Sequence, residues 1–213
     1  MKVSIWFIIA MRTILRFSSS SSFQKALLEW LFTGEVIDYG SPNKICGLCS
    51  KDGLRYHFKI KNKITGKELL VGSECITKFE GIEITDDNGQ KIHDHDERSK
   101  RLEEIKGHLR EESMLEQIRS LYRNSDTERR CEIKLLVDYY KIKGGFAPFG
   151  LERLFSLMDD ANIKYTPTIY RISLRTVENQ RQLRKLRRDS FKTIFQAMSD
   201  KQQIKFRHLL DAA

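Results

Sequence analysis

The chain has 213 residues, enough for one domain or two small ones, and its 40% hydrophobic content supports a folded core rather than a disordered chain. Lysine and arginine outnumber aspartate and glutamate by 38 to 29, which gives a net charge of +9. This excess favours a polyanionic partner such as DNA or RNA. Three of the four cysteines lie within residues 46–75, which argues against a secreted disulfide framework and favours a reducing, cytoplasmic compartment.

Residues 1–28 open with an apolar run and end in a serine run at 18–22. Arg12 and Arg16 interrupt the apolar run before it reaches the length of a membrane span, and no other segment could form a stable span. An Arg- and Ser-rich, acid-poor segment is typical of an organellar transit peptide. The alternatives are an extra strand or a true start at Met11, and in each case we expect the serines to form a flexible joint.

Residues 29–85 are rich in strand-forming residues and glycine, and they predict a small β unit. Residues 54–60 alternate apolar and polar side chains, as in a half-buried strand. The turn that follows contains Gly66, which can adopt the left-handed conformation that a tight turn needs. Residues 68–72 then return as the partner strand, so the sequence predicts a β-hairpin.

The cysteines predict a zinc site at the base of this hairpin. Cys46 and Cys49 form a C-x-x-C knuckle, and the hairpin brings the chain back so that Cys75 can reach the same point. Zinc prefers four thiolate or imidazole ligands in a tetrahedron. A regular second knuckle would put the fourth ligand at position 78, but that residue is Lys78. The fourth ligand must therefore come from elsewhere.

His57 is the first candidate for the fourth ligand, because it lies on the polar face of the first hairpin strand, where packing does not require it. His93 and His95, in the polar stretch after the β unit, are the second candidates. A redox function for the knuckle is a further alternative. A reactive cysteine pair usually begins a helix, whereas the residues after Cys49 have the composition of a turn.

The segment 29–79 resembles a family of small zinc-ribbon-like proteins found in phages, prophages and plasmids. The resemblance implies a zinc-ribbon or treble-clef-like fold and metal binding, but no particular activity. The family has a glycine after the second cysteine, where this chain has Ser50. The residues that match the family pattern are Glu29, Trp30, Cys46, Cys49, Asn62, Thr65, Gly66, Val71, Gly72, Ser73, Cys75, Ile76 and Phe79.

A polar linker at 86–97 leads to a predicted helical domain over 98–213. Apolar residues recur at three- and four-residue steps in each predicted helix. The second predicted helix presents a stripe formed by Cys131, Leu135 and Tyr139. The helices are expected near 102–121, 126–142, 149–161 and 176–198, with Ser199 and Gln202 forming a capping box for a last short helix.

The segment 171–192 is strongly basic, because it contains eight lysine and arginine residues but only two acidic residues. Cations at helical spacing beside an apolar stripe can line a phosphate backbone. A solvated helix face is the simpler interpretation of such a run. The candidate nucleic-acid-binding residues are Arg171, Arg175, Arg181, Arg184, Lys185, Arg187, Arg188 and Lys192.

Two further interpretations of the C-terminal half remain open. Residues 151–175 could form a helix-turn-helix with Arg171 and Arg175 facing the major groove. The carboxylates and histidines of residues 86–96 could form a Mg²⁺-dependent nuclease centre, although a polar linker explains them more simply. No phosphate-binding loop, nucleophile elbow or zinc-protease motif is present in the sequence.

Together these features predict an α+β protein, with a zinc-stapled β unit followed by a basic helical domain. The leading hypothesis is a non-enzymatic, zinc-stabilised protein that binds DNA or RNA through its C-terminal helix. The alternatives are an adaptor that docks a protein partner through the zinc ribbon, and a metal-dependent nuclease.

Overall fold

The computed structural model describes residues 4–211. The chain divides into two compact units, Met1–Leu109 and Arg110–Ala213, each with its own hydrophobic core. The fold is α+β, as predicted: the described residues form one three-stranded antiparallel sheet and ten α-helices. The boundary between the units falls at Leu109, within a helix, and not in the polar stretch 86–97.

The sheet of the first unit has the order β1-β2-β3 and contains the predicted hairpin. Strand β1 spans Trp30–Asp38, β2 spans Tyr56–Asn62 and β3 spans Glu68–Val71. Phe58 and Ile60 on β2 are fully buried, as the alternation of apolar and polar residues predicted. The hairpin therefore buries one face and returns the chain to the cysteine knuckle.

Within residues 1–28 the described part forms helices, so the alternative of an extra strand is wrong. Helix α1 spans Ile5–Phe17, and the short helix α2 spans Phe23–Leu27. Ala10 and Ile14 are fully buried, one helical turn apart, in the core of the first unit. This four-residue spacing is helical, so the apolar run packs as a core helix rather than extending as a strand.

The serine run is ordered by Glu29. The backbone N–H groups of Ser19 and Ser20 each donate to the Glu29 carboxylate at 2.8 Å, and the Asn62 amide donates to it at 2.9 Å. Burial alone raises the pKa of Glu29, but these three donors outweigh burial and hold the pKa below its ordinary value. The serines thus anchor α1 to the sheet and do not form a flexible joint.

Trp30 and Thr65 extend the hydrogen-bond network around Glu29. Trp30 donates from Nε1 to the Ser18 hydroxyl at 2.8 Å, and Thr65 donates from Oγ1 to the Phe17 carbonyl at 2.9 Å. Asn62 also accepts the backbone N–H of Thr65 at 2.8 Å and so shapes the hairpin turn. Glu29, Trp30 and the hairpin turn that begins at Asn62 therefore form one polar centre.

A buried arginine closes the first unit. Helix α3 spans Ser73–Lys78 and helix α4 spans His95–Arg123. Arg98, in the first turns of α4, is 1% exposed, and burial lowers the pKa of its guanidinium. Its Nη atoms donate to the carbonyl oxygens of Ile76, Phe79, Ile82 and Ile92. These bonds satisfy carbonyls at the end of α3 and in the segment after it, and they join that segment to α4.

The second unit is helical within its described residues. Phe191 and Ile194 are buried in its core, as predicted, and the Ser199–Gln202 capping box is confirmed. Its helices are α5 (Thr127–Lys143), α6 (Pro148–Asp160), α7 (Val177–Lys185), α8 (Arg188–Gln196), α9 (Asp200–Phe206) and α10 (His208–Asp211), with a 3-10 turn at Pro167–Ile169.

The predicted continuous helix 176–198 is interrupted. Leu186 and Arg187 adopt extended backbone conformations, with ψ of 144° and 153°, so the segment forms α7 and α8 instead of one helix. The stripe formed by Cys131, Leu135 and Tyr139 on α5 does not face the core, because Cys131 is exposed and Leu135 is 72% exposed. Ile133 faces the core in their place.

The helix-turn-helix interpretation is contradicted. After α6 the chain makes only the 3-10 turn at Pro167–Ile169 and then runs extended to the N-cap residue of α7, Thr176. No recognition helix therefore carries Arg171 and Arg175. None of the helices within residues 4–211 combines the length and apolar character needed to cross a bilayer.

Candidate metal centre and basic cavity

The three clustered cysteines converge, as the sequence predicted. The Sγ atoms of Cys46, Cys49 and Cys75 lie within 4.8 Å of one another, and all three residues are buried. The Cys46 and Cys75 sulfurs are 3.7 Å apart, far beyond the ~2.05 Å of a disulfide bond. Two thiolates of a tetrahedral zinc site, each about 2.3 Å from the metal, lie about 3.8 Å apart. The geometry of this group fits a metal ion.

The knuckle is held by main-chain hydrogen bonds. The backbone N–H of Ser50 donates to the Cys46 carbonyl at 3.0 Å, and the N–H of Gly47 donates to the Leu70 carbonyl on β3 at 2.8 Å. A Cβ atom at Gly47 would lie 2.9 Å from that same carbonyl oxygen. A glycine is therefore required at position 47 so that the knuckle can approach the hairpin.

Ser50 adopts the left-handed conformation, with a φ of 59°. Glycine adopts this conformation without the steric cost that a side chain adds. A glycine at this position would avoid that cost. The departure to serine leaves the turn intact but strains it.

The three cysteine thiols differ in their pKa values. A hydrogen bond from the Cys75 thiol, assisted by the backbone N–H of Gly72 at 3.3 Å, lowers the pKa of Cys46 to about 5. The same hydrogen bond raises the pKa of Cys75, and burial raises the pKa of Cys49. One thiolate is therefore stabilised by the protein alone, and a bound cation would deprotonate the other two.

His57 does not join the cysteines, so the prediction that it closes the site is not supported. It is 5% exposed, and both ring nitrogens are engaged elsewhere. Nδ1 lies 3.3 Å from the Tyr39 hydroxyl and Nε2 lies 3.0 Å from the Ile45 carbonyl oxygen. Residues 39 and 45 belong to the loop after β1, so the histidine fixes that loop to the sheet.

The cysteine group borders a cavity of about 500 Å³, within the first unit. Its other walls include Trp6 and Ile9 from α1 and Leu54 before β2. Within residues 4–211, the three cysteines are the only group of three or more potential ligands, so no histidine or carboxylate there completes a fourth position. A metal held by the three thiolates would take its fourth ligand from this cavity.

The acidic and histidine residues before α4 do not form a metal centre in the described part of the chain. His93 and His95 are exposed, and the Asp94 carboxylate accepts the backbone N–H groups of Asp96 and Glu97 at 2.9 Å each. Asp94 thus begins α4. The nuclease hypothesis has no support in this geometry.

The eight predicted nucleic-acid-binding residues are all exposed but do not form one ridge. Arg181, Arg184 and Lys185 lie on α7, Arg188 and Lys192 on α8, and Arg187 lies between the two helices. Lys185 and Arg187 line a groove whose wall also carries carboxylates. Those carboxylates are Glu152, Asp159, Asp160 and Asp189.

Arg171 and Arg175 lie apart from this groove, in the extended segment before α7. They line a separate cavity with Arg110 and Lys143, two cations that the sequence did not single out. The Gly-Gly pair after Lys143 marks the end of α5 in the sequence, but it does not show which segment packs there. This cationic cluster is therefore assembled by tertiary structure.

Comparison of the chain with protein-family models, with curated proteins and with solved structures found no match.

Proposed function

We propose that this protein is a non-enzymatic, zinc-stabilised nucleic-acid-binding protein. Zinc held by Cys46, Cys49 and Cys75 stabilises the first unit, and the second unit contacts phosphates of DNA or RNA. The resemblance to zinc-ribbon-like proteins of mobile elements is consistent with this proposal.

The assignment of zinc rests on the chemistry of the donors. Three thiolates favour zinc or another soft metal over magnesium or calcium, which take oxygen ligands. The 3.7 Å separation of the Cys46 and Cys75 sulfurs is close to that of two ligands on one zinc ion. The bound ion would cross-link the knuckle and α3 across a sheet of only three strands.

The distribution of charge carries the nucleic-acid proposal. The second unit contains 21 Lys and Arg and 14 Asp and Glu, a net charge of +7. The first unit contains 17 and 15, a net charge of +2. A basic unit that presents clustered cations can neutralise several phosphates and release their counterions.

Binding of short DNA and RNA strands at low and moderate salt tests this proposal. If about four phosphates are neutralised, the affinity falls about a hundredfold between about 50 and 200 mM salt. An adaptor that docks a protein partner through the first unit predicts no retention of nucleic acid. Failure of the intact, folded protein to bind either DNA or RNA at low salt contradicts the proposal.

A further inference from the structure

A cavity of about 270 Å³ in the second unit collects positive charge. Arg110, Lys143, Arg171 and Arg175 line it, and none of the described residues in its wall is acidic. The groove beside α7 and α8, in contrast, mixes cations with carboxylates. An anion in this cavity would therefore meet several cations, with no carboxylate among the described residues of the wall.

Backbone contacts build the cavity. Gly144 ends α5 with a φ of 66°, and a Cβ atom at Gly145 would lie 2.9 Å from the backbone of Ile172 and Ser173. Phe146 donates its N–H to the Arg171 carbonyl and accepts the N–H of Ser173, both at 2.8 Å. The extended segment is thus fixed beside the end of α5, and the cations it carries are brought next to Lys143.

Three of the four cations in the cavity wall are poorly neutralised by the described residues. Among residues 4–211, Lys143, Arg171 and Arg175 have no carboxylate within ion-pair distance, whereas Arg153 on α6 pairs with Glu132 at 2.7 Å. Like charges that share one cavity repel one another unless an anion balances them. A bound anion would relieve this repulsion.

A buried hydroxyl supplies an independent observation. Thr168 lines the cavity, and its Oγ1 atom is buried without a hydrogen-bond partner. Buried polar groups in proteins nearly always have partners, so an unpaired one calls for a ligand or a water molecule.

We propose that this cavity binds the terminal phosphate of a nucleic-acid strand. A phosphate monoester carries a charge of about −1.5 to −2 at neutral pH, about twice that of an internal phosphodiester, and arginine binds phosphate oxygens in a bidentate manner. The excess of cations in a small cavity favours the more highly charged group. This inference rests on the proposed function and names the part of the strand that the second unit recognises.

The test compares strands of one sequence that carry a 5′-phosphate, a 3′-phosphate or only hydroxyl ends, with the intact zinc-loaded protein. We expect one phosphorylated end to bind about tenfold tighter than the hydroxyl end. The double variant Arg171→Gln/Arg175→Gln removes this preference. The matched variant Arg184→Gln/Arg187→Gln removes the same charge outside the cavity and keeps the preference.

The outcomes separate the two proposals. Equal binding of all three strands, or a preference that survives in the Arg171→Gln/Arg175→Gln variant, overturns the cavity proposal and leaves the proposed function standing. Titration with inorganic phosphate covers the remaining case. If inorganic phosphate binds through Arg171 and Arg175 but no strand binds, the proposed function fails and the ligand of the cavity is a small phosphate. If neither inorganic phosphate nor any strand binds, both proposals fail. Circular dichroism of each variant confirms that it is folded.

Discussion

The two units of this molecule are stabilised in different ways. The first unit combines an apolar core with a few buried polar centres: the three cysteines, the carboxylate of Glu29 and the guanidinium of Arg98. The second unit depends on a continuous apolar core shared by its helices. Single polar substitutions should therefore damage the first unit more than the second. In the second unit, charge is kept at the surface, where it can contact a ligand.

Removal of the metal should show the difference in stability between the two units most clearly. With a chelator, or in Cys75→Ser, the metal cross-link at the knuckle is lost. We therefore expect the free energy of opening of the amides in the first unit, measured by hydrogen exchange, to fall by at least ~3 kcal/mol. Amide protection in the second unit should be unchanged. Hydrogen exchange read by mass spectrometry measures both units in one sample. Equal losses in the two units contradict the comparison.

Replacement of Arg98 should have the next largest effect. Arg98→Met leaves buried carbonyl oxygens without donors, and we expect a loss of about 3 kcal/mol in the free energy of unfolding. Lys100→Met is the matched control, because Lys100 lies on the same helix with a side chain that is 79% exposed. The control should change stability by less than about 0.5 kcal/mol. Urea unfolding compares the two variants, and similar losses would contradict a special role for Arg98.

Glu29→Gln should lower the free energy of unfolding by about 1–2 kcal/mol at neutral pH. The hydrogen bonds that the Glu29 carboxylate accepts from Ser19, Ser20 and Asn62 are charge-assisted, and a neutral glutamine would lose that contribution. The pKa of Glu29 is lowered by folding, so this contribution is full above the ordinary carboxyl pKa of about 4.3 and is lost as the pH falls through the lower, folded pKa. The difference between wild type and variant should therefore shrink in acid. A difference that stays constant with pH contradicts the ionised state of Glu29.

The smallest effect should be a gain. Ser50→Gly relieves a left-handed residue in the first unit and should add up to about 1 kcal/mol to the free energy of unfolding. Asn162, in the second unit, is also left-handed, with a φ of 52°. Asparagine tolerates this conformation better, so Asn162→Gly should gain less. Thermal unfolding ranks the two variants, and the reverse order would contradict the account of the knuckle.

The features that could be predicted from sequence are local or closely spaced along the chain. The hairpin follows from alternation and a glycine turn, and the meeting of Cys75 with Cys46 follows from the hairpin. The role of His57 could not be predicted, since its partners come from the loop after β1. Alternation marked it as a polar residue that packing does not need, but the strand is covered on that side by Tyr39.

The features that the sequence did not predict depend on tertiary contacts or on a helical periodicity that is short and easily overlooked. The length of the apolar N-terminal run indicates only that it cannot span a membrane, whereas the helical interval between the buried residues Ala10 and Ile14 indicates a core helix. The break at Leu186 has no glycine or proline to mark it, and it turns the chain between α7 and α8. The basic cavity joins Arg110 to Arg171 across the fold, and no sequence spacing relates them.

The most direct test of the central claim is the zinc content of the purified protein. We expect one zinc ion per chain in the wild type and in Cys131→Ser, whose cysteine is exposed and lies outside the cluster. We expect loss of zinc in Cys75→Ser. A wild-type protein without zinc, or unchanged zinc in Cys75→Ser, contradicts the account.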